Sequence, residues 1–404
     1  MSITVVGIGA DGWVGLSDTA RAAILQADEV IGSARQLAML PSEGPTQRVL
    51  PSPLGPFLDG LNAADERRLC ILASGDPMLH GIGASIARRL GEHAFDAGRL
   101  AVLSHPSALA LACARLGWPE ADVTVVSTVT TPLSAVNRAL QPGRRLIVYV
   151  HGQDGAAELA RTVTDSGFGP SDFIVLEQLG GPDELVYRST AAAWGTRDSG
   201  PLVAVAIRCV AAADTPLLPV IPGLPDAAYE HDGALTKRHV RAATLAALAP
   251  TPGALLWDVG AGSGSIGIEW LRCEPTAHAF AIESRADRSE RIARNAAALG
   301  VPQLRLVTGE APQALTDLAA PDAVFVGGGL TDEVIDTAWD ALRAGGRLVA
   351  NAVTAEGEQL LLGAAGRHRG ELVKLSVSQL EPLGRFSAWR PALPIVQWST
   401  RKPA

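Results

Sequence analysis

Two stretches of this 404-residue chain place glycines where side chains would normally stand, both with the spacing G-x-G-x-x-G: Gly7, Gly9, Gly12 and Gly262, Gly264, Gly267. After an apolar strand, such a turn lets backbone approach a ligand closely and aims free amides at it from a helix N-terminus. The spacing alone is a weak signal. A nucleotide-like ligand also needs a carboxylate at the end of the next strand, to hold its ribose hydroxyls. The first half lacks one: its second strand reads EVIGSA, with Asp28 and Glu29 at its beginning and nothing acidic at its end. That argues against a nicotinamide dinucleotide. The second half has one. Its turn is Asp258-Val-Gly260-Ala-Gly262-Ser-Gly264, the next strand AFAIE ends on Glu283, and LVTGEAP sets Gly309, Glu310 and Ala311 after the third strand. Glu283 suits a ribose and Glu310 the adjoining base, although a helix N-terminal acid is the structural alternative for Glu310.

These turns need strands behind them. In the first half, apolar runs predict strands at Ile3–Gly9, Glu29–Gly32, Arg68–Ser74, Leu100–Ser104, Val123–Ser127, Arg145–Val150, Phe173–Glu177 and Leu202–Val210. Their alternation with helical patterns implies open, largely parallel sheets. The proline-rich run AAADTPLLPVIPGLPDAAYE excludes a helix or central strand, which puts a linker at 213–222 between domains 1–212 and 223–404. The second half predicts strands at Leu255–Val259, Ala277–Ile282, Leu304–Val307, Ala323–Val326 and Arg347–Ala350. In the helix near 286–299, Ile292, Ala296 and Leu299 form one stripe. Two final strands, Glu371–Gln379 and Pro394–Ser399, suggest a hairpin closing a doubly wound sheet.

Composition narrows the function. Hydrophobic residues at 47% against 19% charged suit compact α/β cores rather than disorder. A formal net charge of −8 disfavours nucleic acid as the main partner. Cys70, Cys113, Cys209 and Cys273 are scattered, which fits buried, reduced thiols, and the histidines show no metal-ligand spacing, so no bound metal is expected. The N-terminus shows no signal-peptide pattern, and no run of about 18 uncharged apolar residues occurs. A soluble, cytoplasmic protein is the expectation.

The order strand, glycine turn, acid, second acid is the pattern of class I S-adenosylmethionine (SAM) methyltransferases. More narrowly, the second half resembles the CbiT family through TKRHVRAATLAAL (236–248), LWDVGAGSGSIGIEW (256–270), IARNAAALGVP (292–302), PDAVFVGGG (321–329) and GGRLVANAVT (345–354). The first half resembles the CbiE branch of the tetrapyrrole methylases through VGIGADG (6–12), LASGDPMLHGIG (72–83), SHPSALALACARLGW (104–118) and VLEQLGGPDE (175–184). Fused in this order, they look like the CobL family of decarboxylating precorrin C5,15-methyltransferases. The resemblance implies an N-terminal tetrapyrrole methylase domain of two α/β subdomains and a C-terminal Rossmann-like class I domain, with one SAM site in each. In the first half it implies cofactor contacts at Gly9, the Gly75-Asp76-Pro77 loop, Leu79, the Ser107-Ala108 pair and Val150. The chain departs from many relatives at Ala10, where proline is common, and at 127–132, where a Ser-x-His-Gly-Arg-Pro stretch is replaced by Ser-Thr-Val-Thr-Thr-Pro.

The implied reaction methylates C5 and C15 of precorrin-6B and decarboxylates its ring C (C12) acetate, giving precorrin-8X in cobalamin biosynthesis. Methyl transfer to an electron-rich carbon needs positioning and exclusion of water more than covalent help, and no nucleophile–base pairing is evident from spacing. Substrate carboxylates need cations. Lys237, Arg238 and Arg241 near the second turn, and Arg385 and Arg390 near the closing strands, are the candidates, with Lys237 the first choice. Asn351, in the NAVT run, is a second candidate for contact with substrate or cofactor, a cap being its alternative. A homo-oligomer, dimer or tetramer, is expected. Two other readings stay open at this level: one active half with a substrate-holding scaffold half, and an RNA methyltransferase.

Overall fold

The computed structural model describes residues 2–61 and 67–404. They form two compact units, the first running to Thr130 and resuming at Pro142–Thr215, the second made of Thr131–Gln141 and Pro216–Ala404. A single cut in the proline-rich run does not describe this division, because residues 131–141 group with the second unit. The Asn137 amide donates to the carbonyls of Ala297 and Ala298 (3.4 and 3.2 Å), at the end of a helix where carbonyls lack intrahelical partners. Arg138 Nε donates to the Arg272 carbonyl (2.8 Å), and Gln141 to that of Leu218 (2.9 Å). Gly300 accommodates this segment: a Cβ there would lie 2.2 Å from the Arg138 nitrogen.

In the first unit, β1 (Ser2–Ile8), β2 (Glu29–Gly32), β3 (Thr46–Val49), β4 (Arg68–Ser74) and β5 (Leu100–Leu103) form a parallel sheet in the order β3-β2-β4-β1-β5. Alternate residues of β1 enter cores on opposite faces. Ile3 and Val5 pack with Ile31, Ile71 and Ile86, and Val6 and Ile8 with Val30, Leu72 and Ile24. A second sheet contains β6 (Val123–Ser127), β7 (Arg145–Tyr149), β8 (Asp172–Glu177), β9 (Leu185–Thr190) and β10 (Val203–Arg208), in the order β6-β7-β10-β8-β9. Here the expectation of a largely parallel sheet fails. Only β6 and β7 run parallel; β10 pairs antiparallel with β7 and β8, as does β9 with β8. The loop 178–184 is too short for the crossover that parallel strands need. Strands β3 and β9 were not foreseen: both are edge strands with mostly exposed residues, β3 being largely polar and the apolar Leu185, Val186 and Tyr187 of β9 lying outside the core.

In the second unit, β11 (Leu255–Val259), β12 (His278–Glu283), β13 (Arg305–Thr308), β14 (Ala323–Val326) and β15 (Arg347–Ala352) run parallel, in the order β13-β12-β11-β14-β15. The helix Ala286–Ala298 follows β12 and buries Ile292 and Ala296 as its spacing predicts, with Leu299 buried just beyond it. The chain closes with four strands rather than two: β16 (Glu371–Leu375), β17 (Ser378–Leu383), β18 (Phe386–Pro391) and β19 (Ile395–Arg401). Strands β19 and β16 extend the sheet antiparallel, while β17 and β18 pair as a separate hairpin.

Candidate active sites

In the second unit the sheet order reverses between β11 and β14, with β12 on the far side of β11. Open α/β sheets bind ligands in the crevice at that point, beyond the strand carboxyl ends. The turn after β11 holds Gly260, Gly262 and Gly264 with φ of +68°, +60° and +77°, a backbone region that penalises side chains. Space enforces the same choice at Gly260, where a Cβ would lie 2.6 Å from the backbone of Gly328, beyond β14. The GGG end of β14 is therefore the partner of the glycine turn. The Glu283 carboxylate, 4% exposed, closes the crevice from β12. Its Oε2 accepts from the Gly262 nitrogen (2.8 Å) and its Oε1 from that of Arg285 (3.1 Å), leaving lone pairs for vicinal hydroxyls. The Gly309 nitrogen donates to the Glu283 carbonyl (3.0 Å), which ties the next loop to this corner; Glu310 is exposed at its rim and Ala311 half-buried.

Asp258 stands apart from the other candidates. It is 1% exposed, and its Oδ2 accepts from the Gly267 nitrogen (2.9 Å), satisfying one of the open amides of the helix Ser265–Cys273. Burial pushes its carboxyl up to about 7, the Gly267 hydrogen bond opposing and the nearby Glu283 charge reinforcing the shift. Its Oδ1, like the buried Ser263 hydroxyl inside the turn, has no hydrogen-bond partner among the described residues. A cradle closed to side chains, orphaned polar atoms and a buried carboxylate at a strand end together fit an adenosyl ligand.

The first unit holds a half-open cavity of about 840 Å³. Asp76, Leu79, Ser107, Ala108 and Val150, far apart in sequence, line it together. Gly75 lies beside them with φ +58°, and a Cβ on Gly7 would come 2.1 Å from its carbonyl, so the β1 and β4 turns meet as the two turns of the second unit do. Other candidates sit behind the wall. Gly9 faces His105 and Asp11, where a Cβ would lie 2.5 and 2.6 Å from their side chains. Pro77 is buried beneath Gly81 and Gly83. The Ser107 hydroxyl caps the helix Ala108–Leu116, accepting from Ala110 (3.0 Å). Sequence reasoning missed Ser33, Gln36, His80, Tyr149 and His151, all on the cavity wall. The first two carried a readable signal, because Ser33 and Gln36 form a capping box after β2, where an acid was sought.

Similarity to known proteins extends over the whole chain. A tetrapyrrole (corrin/porphyrin) methylase family matches residues 2–194, and a precorrin methyltransferase domain matches 227–402. A protein of Sinorhizobium sp. named precorrin-6Y C(5,15)-methyltransferase [decarboxylating] is 43% identical over 99% of this chain and 96% of its own length. A Mycobacterium tuberculosis protein of the same name is 44% identical over 99% of this chain and 100% of its own. The chain belongs to the family of decarboxylating precorrin-6Y C5,15-methyltransferases. A solved C-terminal domain of such an enzyme from Rhodobacter capsulatus is 47% identical, covers 46% of this chain and 100% of its own, and superposes with a TM-score of 0.44. As a member of this family the chain is a cobalamin-pathway methyltransferase that uses SAM as methyl donor. Among the described residues, no helix is long and apolar enough to cross a membrane.

The second unit of this methyltransferase does not offer all its candidate cations to a substrate. Arg241 is fully buried: its Nε donates to Glu269 (2.5 Å), its Nη1 to Asp226 (3.2 Å) and to the Thr236 carbonyl (2.5 Å), and its Nη2 to the Leu224 carbonyl. Glu269 in turn accepts from Gly223, Leu224 and the Tyr229 hydroxyl. Arg241 is a fastening for the segment 223–229, and its reading as an anchor is corrected. Lys237 and Arg238 are exposed at the start of the helix Arg238–Leu248, Lys237 lying 4.0 Å from Asp226. Arg385 stacks over Phe386 and Arg390 pairs with Glu381, both on the β17–β18 hairpin. Asn351 donates to the Thr244 hydroxyl (2.9 Å) and accepts from Gln397 (3.0 Å), so both ends of its amide are engaged within the fold.

Proposed function

We propose that each unit binds one molecule of SAM, the first methylating C5 of precorrin-6B and the second methylating C15 and decarboxylating the C12 acetate to give precorrin-8X. The observation that carries this reading is the presence of two paired-turn sites in one chain, each framed by the carboxyl ends of a parallel sheet. In the second unit Gly260, Gly262 and Gly264 bring backbone to the donor and Glu283 holds its ribose, with Gly309, Glu310 and Ala311 beside the adenine. Asp258 orients the turn and the helix behind it. In the first unit Gly75, Asp76, Leu79, Ser107, Ala108 and Val150 surround the donor, while Gly9 and Pro77 support those loops. SAM supplies an electrophilic methyl group; the protein aligns the substrate carbon with it and excludes water. Lys237 is the proposed anchor for a substrate carboxylate. Desolvation of the C12 acetate favours its loss, and the released electron pair makes C15 nucleophilic.

Titration of the full-length protein with SAM tests the reading. Two equivalents per chain are expected; a single equivalent supports the alternative in which one half only holds the substrate. We further propose a cytoplasmic homo-oligomer that does not act on nucleic acid. Support for assembly comes from the hairpin, where Leu380 and Trp389 lie directly opposite each other at 57% and 69% exposure. A monomer by light scattering at micromolar concentration would remove that part.

A further inference from the structure

We propose that His80 is the side chain that takes the proton from C5 when the first unit methylates it, an inference that rests on the assignment of C5 to that unit. A bridging carbon that receives a methyl while keeping its hydrogen becomes a saturated centre in a cationic ring. The C5–CH3 bond forms as the S–CH3 bond breaks. The C5–H electron pair then returns to the macrocycle, and the proton must go to an acceptor. A side chain held at the cavity wall can take that proton in a positioned way that bulk water cannot.

The titratable side chains lining the cavity are Asp76, His80, Tyr149 and His151. Asp76 serves its own loop, its Oδ1 accepting from the Met78 nitrogen (2.8 Å) and the Ser104 hydroxyl (3.4 Å). Burial pushes the Tyr149 hydroxyl up to about 12, so it keeps its proton at neutral pH. A third nearby imidazole, His105, points to Asp11 (3.1 Å) and is not part of the cavity wall. His80 and His151 remain.

The backbone separates these two. His80 has φ +53°, in the left-handed region that non-glycine residues seldom adopt, and such outliers concentrate at functional sites. Its loop is wound tightly: Leu79 donates to the Asp76 carbonyl (3.2 Å), Ala84 to that of Pro77 (3.2 Å), and a Cβ on Gly81 would lie 2.5 Å from the Pro77 oxygen. One rigid turn therefore presents Asp76 and Leu79, assigned to the donor, and the imidazole of His80. The ring is further placed edge-on against Tyr149, at 6.3 Å between centroids and 80° between planes. Both imidazoles are exposed, so the left-handed backbone and the ring contact, not burial, set His80 apart from His151.

A carbon nucleophilic enough to attack a sulfonium methyl also accepts a deuteron, so the role can be read without turnover. The full-length enzyme is incubated with precorrin-6B and S-adenosylhomocysteine in heavy water, and loss of the C5 hydrogen is followed by NMR. Wild type should exchange it, and His80→Asn, which keeps a residue tolerant of left-handed backbone, should slow exchange by roughly 10²- to 10⁴-fold. Calorimetry should find two donor sites of unchanged affinity in this variant. With carbon-13-labelled SAM it should methylate C15 at the wild-type rate and C5 scarcely at all, and imidazole added to His80→Gly should restore C5 methylation. Wild-type exchange and C5 methylation in His80→Asn would overturn the proposal, as would loss of exchange in His151→Asn instead. Loss of C15 methylation with C5 preserved would overturn the assignment of carbons to units.

Discussion

The second unit buries charge more deeply than the first. Arg241, Glu269, Asp258, Arg272 and Glu283 are all at most 4% exposed, and all belong to the second unit. Among the described residues of the first, the least exposed charged side chains are Glu29 and Glu177, each at 8%. Glu29 is matched by Arg48 and Arg67 at the edge of the parallel sheet, away from the cavity. The cavity wall itself carries backbone, hydroxyls, two imidazoles and Asp76. On the proposed reading, two solutions to holding one donor coexist in a chain: a buried carboxylate for its hydroxyls, and a wound backbone loop without one. Charge inside a protein is costly unless it is paired, so the second unit, with its buried charges, should be the more sensitive to single substitutions.

The largest expected effect follows from Arg241. Arg241→Ala would leave Glu269 buried with its three uncharged donors and without its hydrogen-bonded cation, and losing one partner of a buried pair costs about 3–5 kcal/mol. Denaturant unfolding should show that loss in the transition of the second unit, with the first unit's transition unmoved. Unfolding at wild-type denaturant concentrations would mean that Glu269 is held well enough by Gly223, Leu224 and Tyr229 alone.

Asp258 gives the comparison a pH axis. Its carboxyl is raised to about 7 by burial, against about 3.9 in an unfolded chain. The folded protein then holds more protons than the unfolded chain between those values. Stability is highest below pH 4, falls as pH rises, and levels off above 7, by at most ~1.4 kcal/mol per pH unit from this group. Asp258→Asn keeps an oxygen for the Gly267 amide and removes the titration. The variant should therefore have a flatter stability profile from pH 4 to 7 and gain on the wild type toward neutrality. Parallel profiles would show that Asp258 titrates normally.

This contrast also explains what the sequence disclosed. Glu283 could be named as a site residue because an acid at a strand end after a glycine turn has one obvious use, and the strand itself is apolar and regular. The first cavity offered no such mark. Ser107, Ala108 and Val150 are ordinary residues until β5, β7 and the β4 loop converge, and only resemblance singled them out. His80 was visible merely as part of LASGDPMLHGIG, since its left-handed backbone is a property of the folded loop. Arg241 misled for a related reason: its spacing from Lys237 says that it begins a helix, not which side of the helix faces the core.

A smaller effect is expected at Glu283. If Glu283 holds the ribose as proposed, Glu283→Ala removes charge-assisted hydrogen bonds worth about 1.5–3 kcal/mol and should weaken SAM binding to the second site by roughly 10- to 100-fold. The first site should bind as before, which splits one calorimetric isotherm into two. Equal weakening at both sites would break the comparison, because the loss could not then be assigned to a carboxylate that only one unit possesses.

The smallest effect belongs to Lys237, and it bears on how the second unit divides its cations. Lys237 and Arg241 lie one helical turn apart, yet Arg241 is sealed among carbonyls and carboxylates while the Lys237 ammonium is exposed, 4.0 Å from Asp226. A surface pair at that distance contributes about 0–1 kcal/mol, so Lys237→Ala should leave the unfolding transition where it was. If the ammonium instead meets a substrate carboxylate still in contact with water, the interaction is of the same size, and KM for C15 methylation should rise roughly 2- to 5-fold with kcat little changed. The split matters more than the magnitude. A contact made equally in ground and transition states raises KM alone, whereas a group acting on the decarboxylation would lower kcat. A fall in kcat at unchanged KM would move Lys237 from the rim of the site to its chemistry, and an unchanged KM and kcat would return it to the solvated surface.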